Sequence, residues 1–233
     1  MKRLVLLALM VAACRPSDGN RSAPTKGGAS AAAAGVVTGQ QADSAQQDAL
    51  LARADRARIQ GDTSASVWVV EISDFECPYC RQWHEQTYPA LERDFIRTGQ
   101  VRMAYVNFPL AQHRHAVPAA EAAMCAAAQD KFWPMHDAIF NTQEKWVPLP
   151  DAVPLYDSLV VTVGANQAQW RDCMRSGVMK RLISADRARA LQAKVGSTPT
   201  FFVGSESLAG AAPIDAFRQA IERARTKAGQ QPR

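Results

Sequence analysis

Cys77 and Cys80 are separated by two residues and follow the apolar run at 67–72, so a dithiol falls where a strand gives way to a helix. At a helix N-terminus the free N–H groups and the macrodipole favour a thiolate over a thiol. Pro78 fits the first turn because its missing N–H leaves no bond unmade. Such a pair can run thiol–disulfide exchange, one sulfur attacking and the other resolving. It can also hold zinc: Cys77, Cys80 and His84 form C-x2-C-x3-H. A closed zinc site needs a fourth ligand, usually from a second close pair, and no such pair follows; His113 and His115 are only loosely placed candidates. The strand-then-C-x-x-C context favours redox chemistry, with no metal and no cofactor expected. His84 is then expected as an exposed or half-packed helix residue.

The elements that must position the dithiol are legible by period. Residues 67–72 form an uninterrupted apolar run of the kind buried inside a sheet. A first helix is expected from Pro78 to about Arg97, with Trp83, Leu91 and Phe95 inward, a kink at Pro89 and a stop at Gly99. A second strand at 101–108 follows, then helices at 116–129, 132–141, 151–163, 168–176 and 179–195. Strands at 200–203 and 207–209 suit a closing hairpin, and 214–227 a terminal helix starting after Pro213. The fold class is α/β, with a helical block inserted between the two halves of a small sheet.

Upstream, Lys2 and Arg3 precede a ten-residue apolar core at 4–13, too short to span a bilayer and of signal-peptide length. It ends Val11-Ala12-Ala13-Cys14, which resembles the bacterial lipobox, whose cysteine is diacylated and becomes the first mature residue. An ordinary cleavage site would instead leave Cys14 as an unpaired thiol in an oxidising compartment. Residues 15–42, rich in Ala, Gly, Ser, Thr and Gln, are expected as a tether, followed by a lead-in helix over 43–59. The expected organisation is a signal at 1–13, a lipid-anchored tether with its helix at 14–60, and a folded domain at 61–230 whose helical insertion covers about 109–195. With 233 residues, 47% of them apolar, the chain is long enough for one well-buried domain. The formal net charge is +5, to which Lys2 and Arg3 contribute two charges. The remaining basic residues, such as Arg53, Arg56, Lys180 and Arg189, are scattered among acids, so no stripe for nucleic acid is present.

Three segments resemble one family. Asp74-Phe75-Glu76-Cys77-Pro78-Tyr79-Cys80 is similar to the active-site run of the DsbA-like branch of the thioredoxin superfamily. Phe108-Pro109-Leu110 with His113, the Ala-rich sequence to Cys125, and Lys131-Phe132-Trp133-Pro134-Met135-His136 resemble the entrance and aromatic turn of its helical insert. Gly196-Ser197-Thr198-Pro199-Thr200-Phe201-Phe202-Val203 resembles the segment bearing its cis-proline. The resemblance covers most of residues 61–227 and implies a thioredoxin-like fold with a helical insertion.

It also implies roles. Cys77 is expected as the more exposed nucleophile and Cys80 as the resolving thiol. Glu71, six residues before Cys77, matches the buried acidic position, where desolvation would raise its pKa and let it exchange a proton with Cys80; otherwise it is an edge glutamate without a role. Pro199 in cis would leave Thr198 free to pair with a substrate strand, whereas an ordinary trans proline would simply start the strand. Tyr79 stands where strongly oxidising DsbA proteins carry a histidine, which tempers the expected oxidising power. With Cys14 lipidated and Cys77 and Cys80 redox-active, Cys125 and Cys173 are left as a structural bridge or as two buried thiols.

The resulting expectation is a monomeric, extracytoplasmic DsbA-like oxidoreductase, held to a bacterial membrane through Cys14. It would form disulfides in unfolded or partly folded exported proteins and be reset by a membrane redox partner. A reductase or isomerase of the same fold is the first alternative, although residues 15–60 are too short and polar for the dimerisation domain of isomerases. A non-catalytic peptide-binding holdase is the second.

Overall fold

The computed structural model describes residues 31–230, with side chains described for 43–229, so the expected signal at 1–13, Cys14 and the first half of the tether lie outside the described residues. The chain divides into two units, Met1–Gln41 and Ala42–Arg233. Helix α1 (Ala31–Ala57) begins in the first and continues into the second.

That helix starts inside the stretch expected as tether. Ala31–Ala34 are the best helix formers and lose no side-chain entropy, although Gly35, Val36, Val37, Thr38 and Gly39 after them are poor ones, and α1 as a whole has almost no apolar face. Among the described side chains of α1, Leu51 and Ala54, toward its end, bury against the rest of the fold. The helix also stops earlier than expected: Ile59 is not helical but begins a two-residue strand, β1 (Ile59–Gln60), antiparallel to β3 (Val101–Asn107). Arg58 fixes this corner. Its guanidinium donates to the Tyr105 carbonyl (3.1 Å) and pairs with Asp186, which is buried on α9 (Lys180–Gln192) and also accepts from the Asn107 side-chain amide (2.9 Å).

The five-stranded sheet runs β1-β3-β2-β4-β5, with β2 (Val67–Ser73), β4 (Thr200–Val203) and β5 (Glu206–Ala209) completing it. β2 and β3 are parallel and the other neighbours antiparallel. A parallel pair needs a long crossover, and α2 (Pro78–Gln86) with α3 (Tyr88–Leu91) supplies it. Successive strand residues face opposite sides. Val67 and Val69 therefore pack with Trp83, Met103, Phe201 and Phe217 under α2 and α10 (Ile214–Gln230), while Ile72 packs with Phe108, Ala190 and Val195 on the other side.

The first helix is broken rather than kinked. α2 ends at Gln86, Thr87 closes it by donating its N–H to the Trp83 carbonyl (2.9 Å), and Pro89 sits in the first turn of α3, where it lacks no bond. A π-helical turn, Glu92–Ile96, ends the crossover.

Six helices fill the connection from β3 to β4: α4 (Ala116–Ala127), α5 (Phe132–Asn141), α6 (Gln143–Trp146), α7 (Val153–Thr162), α8 (Gln167–Ser176) and α9. α4 is buried along nearly its whole length, and its alanines let α5, α7, α8 and α9 approach from several sides. The Asn166 side chain accepts from the Gln169 N–H to start α8, and Gly177, at φ 63°, ends it.

Cys125 on α4 and Cys173 on α8 are joined as a disulfide, with Cα atoms 5.7 Å apart. Closing a loop of this length removes about 4 kcal/mol of unfolded-chain entropy, against roughly 2 kcal/mol for the small Cys77–Cys80 ring. Cys125→Ala/Cys173→Ala is therefore expected to lower the unfolding free energy by roughly 2–4 kcal/mol. In the wild type, a mild reductant should open Cys77–Cys80 first. Mass mapping of alkylated peptides checks the order, and simultaneous labelling of all four cysteines would contradict it.

Candidate active site

β2 delivers its last residue, Ser73, to a tight turn that the Asp74 carboxylate organises. One oxygen accepts from the Glu76 N–H (2.8 Å); the other accepts from the Leu110 N–H (2.9 Å) and from His113 Nδ1 (2.7 Å). Glu76 accepts from the His115 N–H (2.6 Å), so the two acids sew the loop at 109–115 to the turn before the dithiol. His113 and His115, considered as zinc ligands, are occupied in this scaffold. Burial raises Asp74 above the usual carboxylate range, and its hydrogen bonds restrain that rise. Gln143, on the four-residue helix α6 that sequence periodicity had not revealed, donates to the carbonyls of Phe75 (2.6 Å) and Cys77 (3.1 Å). The only sequence signal for these supports was the acid-x-acid spacing just before the cysteine pair.

Cys77 is the N-cap of α2 in an extended conformation, Pro78 opens the helix, and Cys80 lies one turn inside it. Both thiols are free and both are buried, Cys77 at 4% and Cys80 at 0% exposure, while Tyr79 between them is 62% exposed. Cys77 Sγ lies 3.5 Å from the Thr198 carbonyl oxygen. The Cys77 thiol is lowered to about 6. The Cys80 thiol donating to it is the largest cause; burial opposes, and the Thr198 side chain and the N–H groups of Cys80 and Tyr79 reinforce the fall. Burial, together with the proton it shares with Cys77, pushes Cys80 well above an ordinary thiol. At pH 7 a thiol of pKa about 6 is roughly nine-tenths ionised. The pair thus divides labour between a thiolate and a retained proton.

Glu71 lies on the central strand opposite Tyr105 of β3 and Phe201 of β4, fully buried, and neither carboxyl oxygen has a hydrogen-bond partner among the described residues. Burial pushes it up to about 8; the nearby Ser73 side chain acts against the rise and the Asp137 charge adds to it. A carboxyl of that pKa holds its proton at neutral pH yet can exchange it. The Thr198–Pro199 peptide bond is cis, and Thr198 is buried against Cys77.

His84 differs from expectation. It is 6% exposed, stacked on Phe140 (5.1 Å between ring centres) and Tyr88 (5.6 Å), and its Nε2 donates to Asp137 at 3.1 Å. Because α2 crosses directly over α5, the last turn of α2 is core rather than surface. Among the described residues, His84 converges with His136 and Asp137, not with the two thiols.

A family model described as Thioredoxin matches residues 53–223. The chain is 33% identical over 185 residues to "Na(+)/H(+) antiporter NhaA 3" of Salinispora tropica, covering 76% of this chain but 27% of that protein. It is 29% identical over 168 residues to "Probable disulfide bond formation protein D" of Bacillus cereus, covering 70% of this chain and 76% of that one. Among solved structures, alpha-DsbA1 of Wolbachia pipientis superposes with a TM-score of 0.65 at 22% identity, covering 73% of this chain and 92% of that one. Oxidised BdbD of Bacillus subtilis superposes at 0.62 and 22%, covering 72% and 91%. At such identities the structural likeness speaks for the fold, which is thioredoxin-like with a helical insertion.

Proposed function

This chain belongs to the thioredoxin family, and from that premise we propose the reaction it runs: it is a DsbA-like thiol–disulfide oxidoreductase that forms disulfides in exported proteins through Cys77 and Cys80. The observation that carries this reading is the split between the two thiols, Cys77 lowered to about 6 and Cys80 driven up. A stabilised Cys77 thiolate favours the reduced enzyme, which makes the disulfide form a better oxidant.

The steps balance. A substrate thiolate attacks Cys77 Sγ of the Cys77–Cys80 disulfide; the S–S bond breaks, and Cys80 leaves as a thiolate that takes a proton, supplied by Glu71. A second substrate thiolate then attacks the substrate sulfur of the mixed disulfide and expels Cys77 as its stabilised thiolate. The substrate has lost two electrons and the enzyme has gained them, so a membrane redox partner must remove them to restore the disulfide. Thr198, beside Cys77, offers its backbone to an extended substrate segment, the strand-addition mode. Cys125–Cys173 braces the insert and takes no electrons.

The place of action is extracytoplasmic, with Cys14 lipidated and the protein held to a bacterial membrane as a monomer. The apolar core ending in Ala12-Ala13-Cys14 supports this. Among the described residues no helix is long and apolar enough to cross a membrane.

The decisive experiment is redox equilibration of the Cys77–Cys80 pair against glutathione. Because Tyr79 supplies no positive charge, a potential between about −270 mV, that of thioredoxin, and about −120 mV, that of DsbA, is expected. A value below about −270 mV would make the protein a reductase, the principal alternative. Fractionation of cells expressing either form tests the anchor: wild type should sediment with membrane and Cys14→Ser should be released with exchange activity intact. Membrane-free wild type would reject lipidation.

A further inference from the structure

The strongest feature that the proposed reaction does not use is the knot of His84, His136 and Asp137 where the last turn of α2 meets α5. One ligand atom from each lies within 4.8 Å of the others. A single oxygen, Asp137 Oδ1, accepts from His84 Nε2 at 3.1 Å and from His136 Nδ1 at 2.8 Å. Two imidazoles and a carboxylate converging from two helices form a donor set suited to a borderline divalent ion such as zinc.

The rings are held before any ion arrives. His136 is fully buried, edge-on to Phe75 (5.8 Å) and Phe140 (5.0 Å), and His84 is stacked between Tyr88 and Phe140. Asp137 differs, with 44% of its side chain exposed at the wall of a surface cavity of about 340 Å³. His84, Glu85, Glu92 and Asn141 also line that cavity, and no lysine or arginine does. Glu85 pairs with Arg81 from its own helix, but among the described residues no lysine or arginine pairs with Asp137 or Glu92. The acidic mouth attracts a cation; His84 and Asp137 face the cavity, and His136, buried behind Asp137, supplies the third ligand, leaving a fourth position toward water.

We propose that His84, His136 and Asp137 form a Zn²⁺-binding site, distinct from the dithiol, that clasps the active-site helix to the helical insert. The ion takes the place of the two N–H hydrogen bonds to Asp137, and each ring proton moves to the ring's other nitrogen. Those nitrogens, His84 Nδ1 and His136 Nε2, are buried without a partner among the described residues. No outer hydrogen bond therefore fixes the ligating tautomer, so the affinity is micromolar rather than that of a closed structural site.

The test uses untagged protein oxidised at Cys77–Cys80, so that no thiolate can compete. Calorimetric titration with Zn²⁺ should give one ion per chain. Asp137→Asn, at a half-exposed position, and His84→Gln should each weaken binding about tenfold or more, while Cys77→Ser/Cys80→Ser should bind as the wild type does. Co²⁺ in the same site should show ligand-field bands without sulfur charge transfer. If His84→Gln does not fold, Asp137→Asn and the Co²⁺ spectrum decide. Absence of saturable binding to the oxidised protein, affinity unchanged in Asp137→Asn, or a sulfur charge-transfer band would each overturn the proposal.

Discussion

Cys77→Ser is expected to abolish turnover of a model disulfide, by on the order of 10³-fold or more, because a serine hydroxyl is not ionised at neutral pH and cannot form the mixed disulfide. Cys80→Ser should leave attack intact and accumulate mixed disulfides with substrate, because nothing remains to resolve them. The clearest readout is the pH profile of alkylation. In the reduced wild type, Cys77 should react with a midpoint near pH 6, while Cys80, raised by burial, stays unlabelled. The Cys80 thiol is the largest contributor to the low Cys77 value, so Cys80→Ala should shift the Cys77 midpoint upward. The other stabilising donors, two backbone N–H groups and the Thr198 side chain, remain in that variant to oppose burial. A wild-type midpoint at or above 8.5, or equal labelling of both cysteines at pH 6, would remove the assignment of nucleophile and resolver.

How much of this could be read beforehand depends on how local each signal was. The β2–α2 junction is coded within a few residues, an apolar run followed by Cys77-Pro78-Tyr79-Cys80, and strand, helix start and dithiol all stand where the sequence placed them. The hairpin at Thr200–Val203 and Glu206–Ala209 is similarly local. What escaped is non-local or aperiodic. The two-residue β1 exists because its backbone completes the edge of β3 and because Arg58 reaches Asp186, 128 residues away. The helix at 31–42 starts on the Ala31–Ala34 run, and α1 has almost no apolar face, so an amphipathic period could not reveal it. His84 reads as an exposed or half-packed residue because its own helix gives no reason to bury it; the reason is α5, whose Phe140 and Asp137 receive the ring. Asp74 and Gln143 were missed for the same cause, since their partners lie 36 and 66 residues away.

Glu71 carries the other large effect, because a buried carboxyl without partners is far more expensive charged than neutral. In the unfolded chain it titrates near 4.5, and in the fold burial holds it at about 8. Below about pH 4.5 it is neutral in both states and costs the fold no ionisation energy. Between those values the native state keeps a proton that the unfolded state has lost, so stability falls as pH rises and levels off above about 8. At about 1.4 kcal/mol per pH unit, that is roughly 3 kcal/mol lost by pH 7 relative to pH 4 and about 5 kcal/mol by pH 9. Glu71→Leu should therefore unfold at higher denaturant than the wild type at pH 8, with a difference that shrinks toward pH 4. Glu71→Gln should show the same loss of slope while leaving two polar atoms buried. Activity should move the other way: with no carboxyl to exchange a proton with Cys80, the resolving step slows by roughly 10²-fold. Urea titrations of the three proteins at pH 4, 6 and 8, beside single-turnover exchange rates, check both halves. Parallel stability profiles for wild type and Glu71→Leu would mean that the carboxyl is not held near 8. A variant that is stabilised at pH 8 yet resolves mixed disulfides at the wild-type rate would leave Glu71 a buried acid outside the proton path.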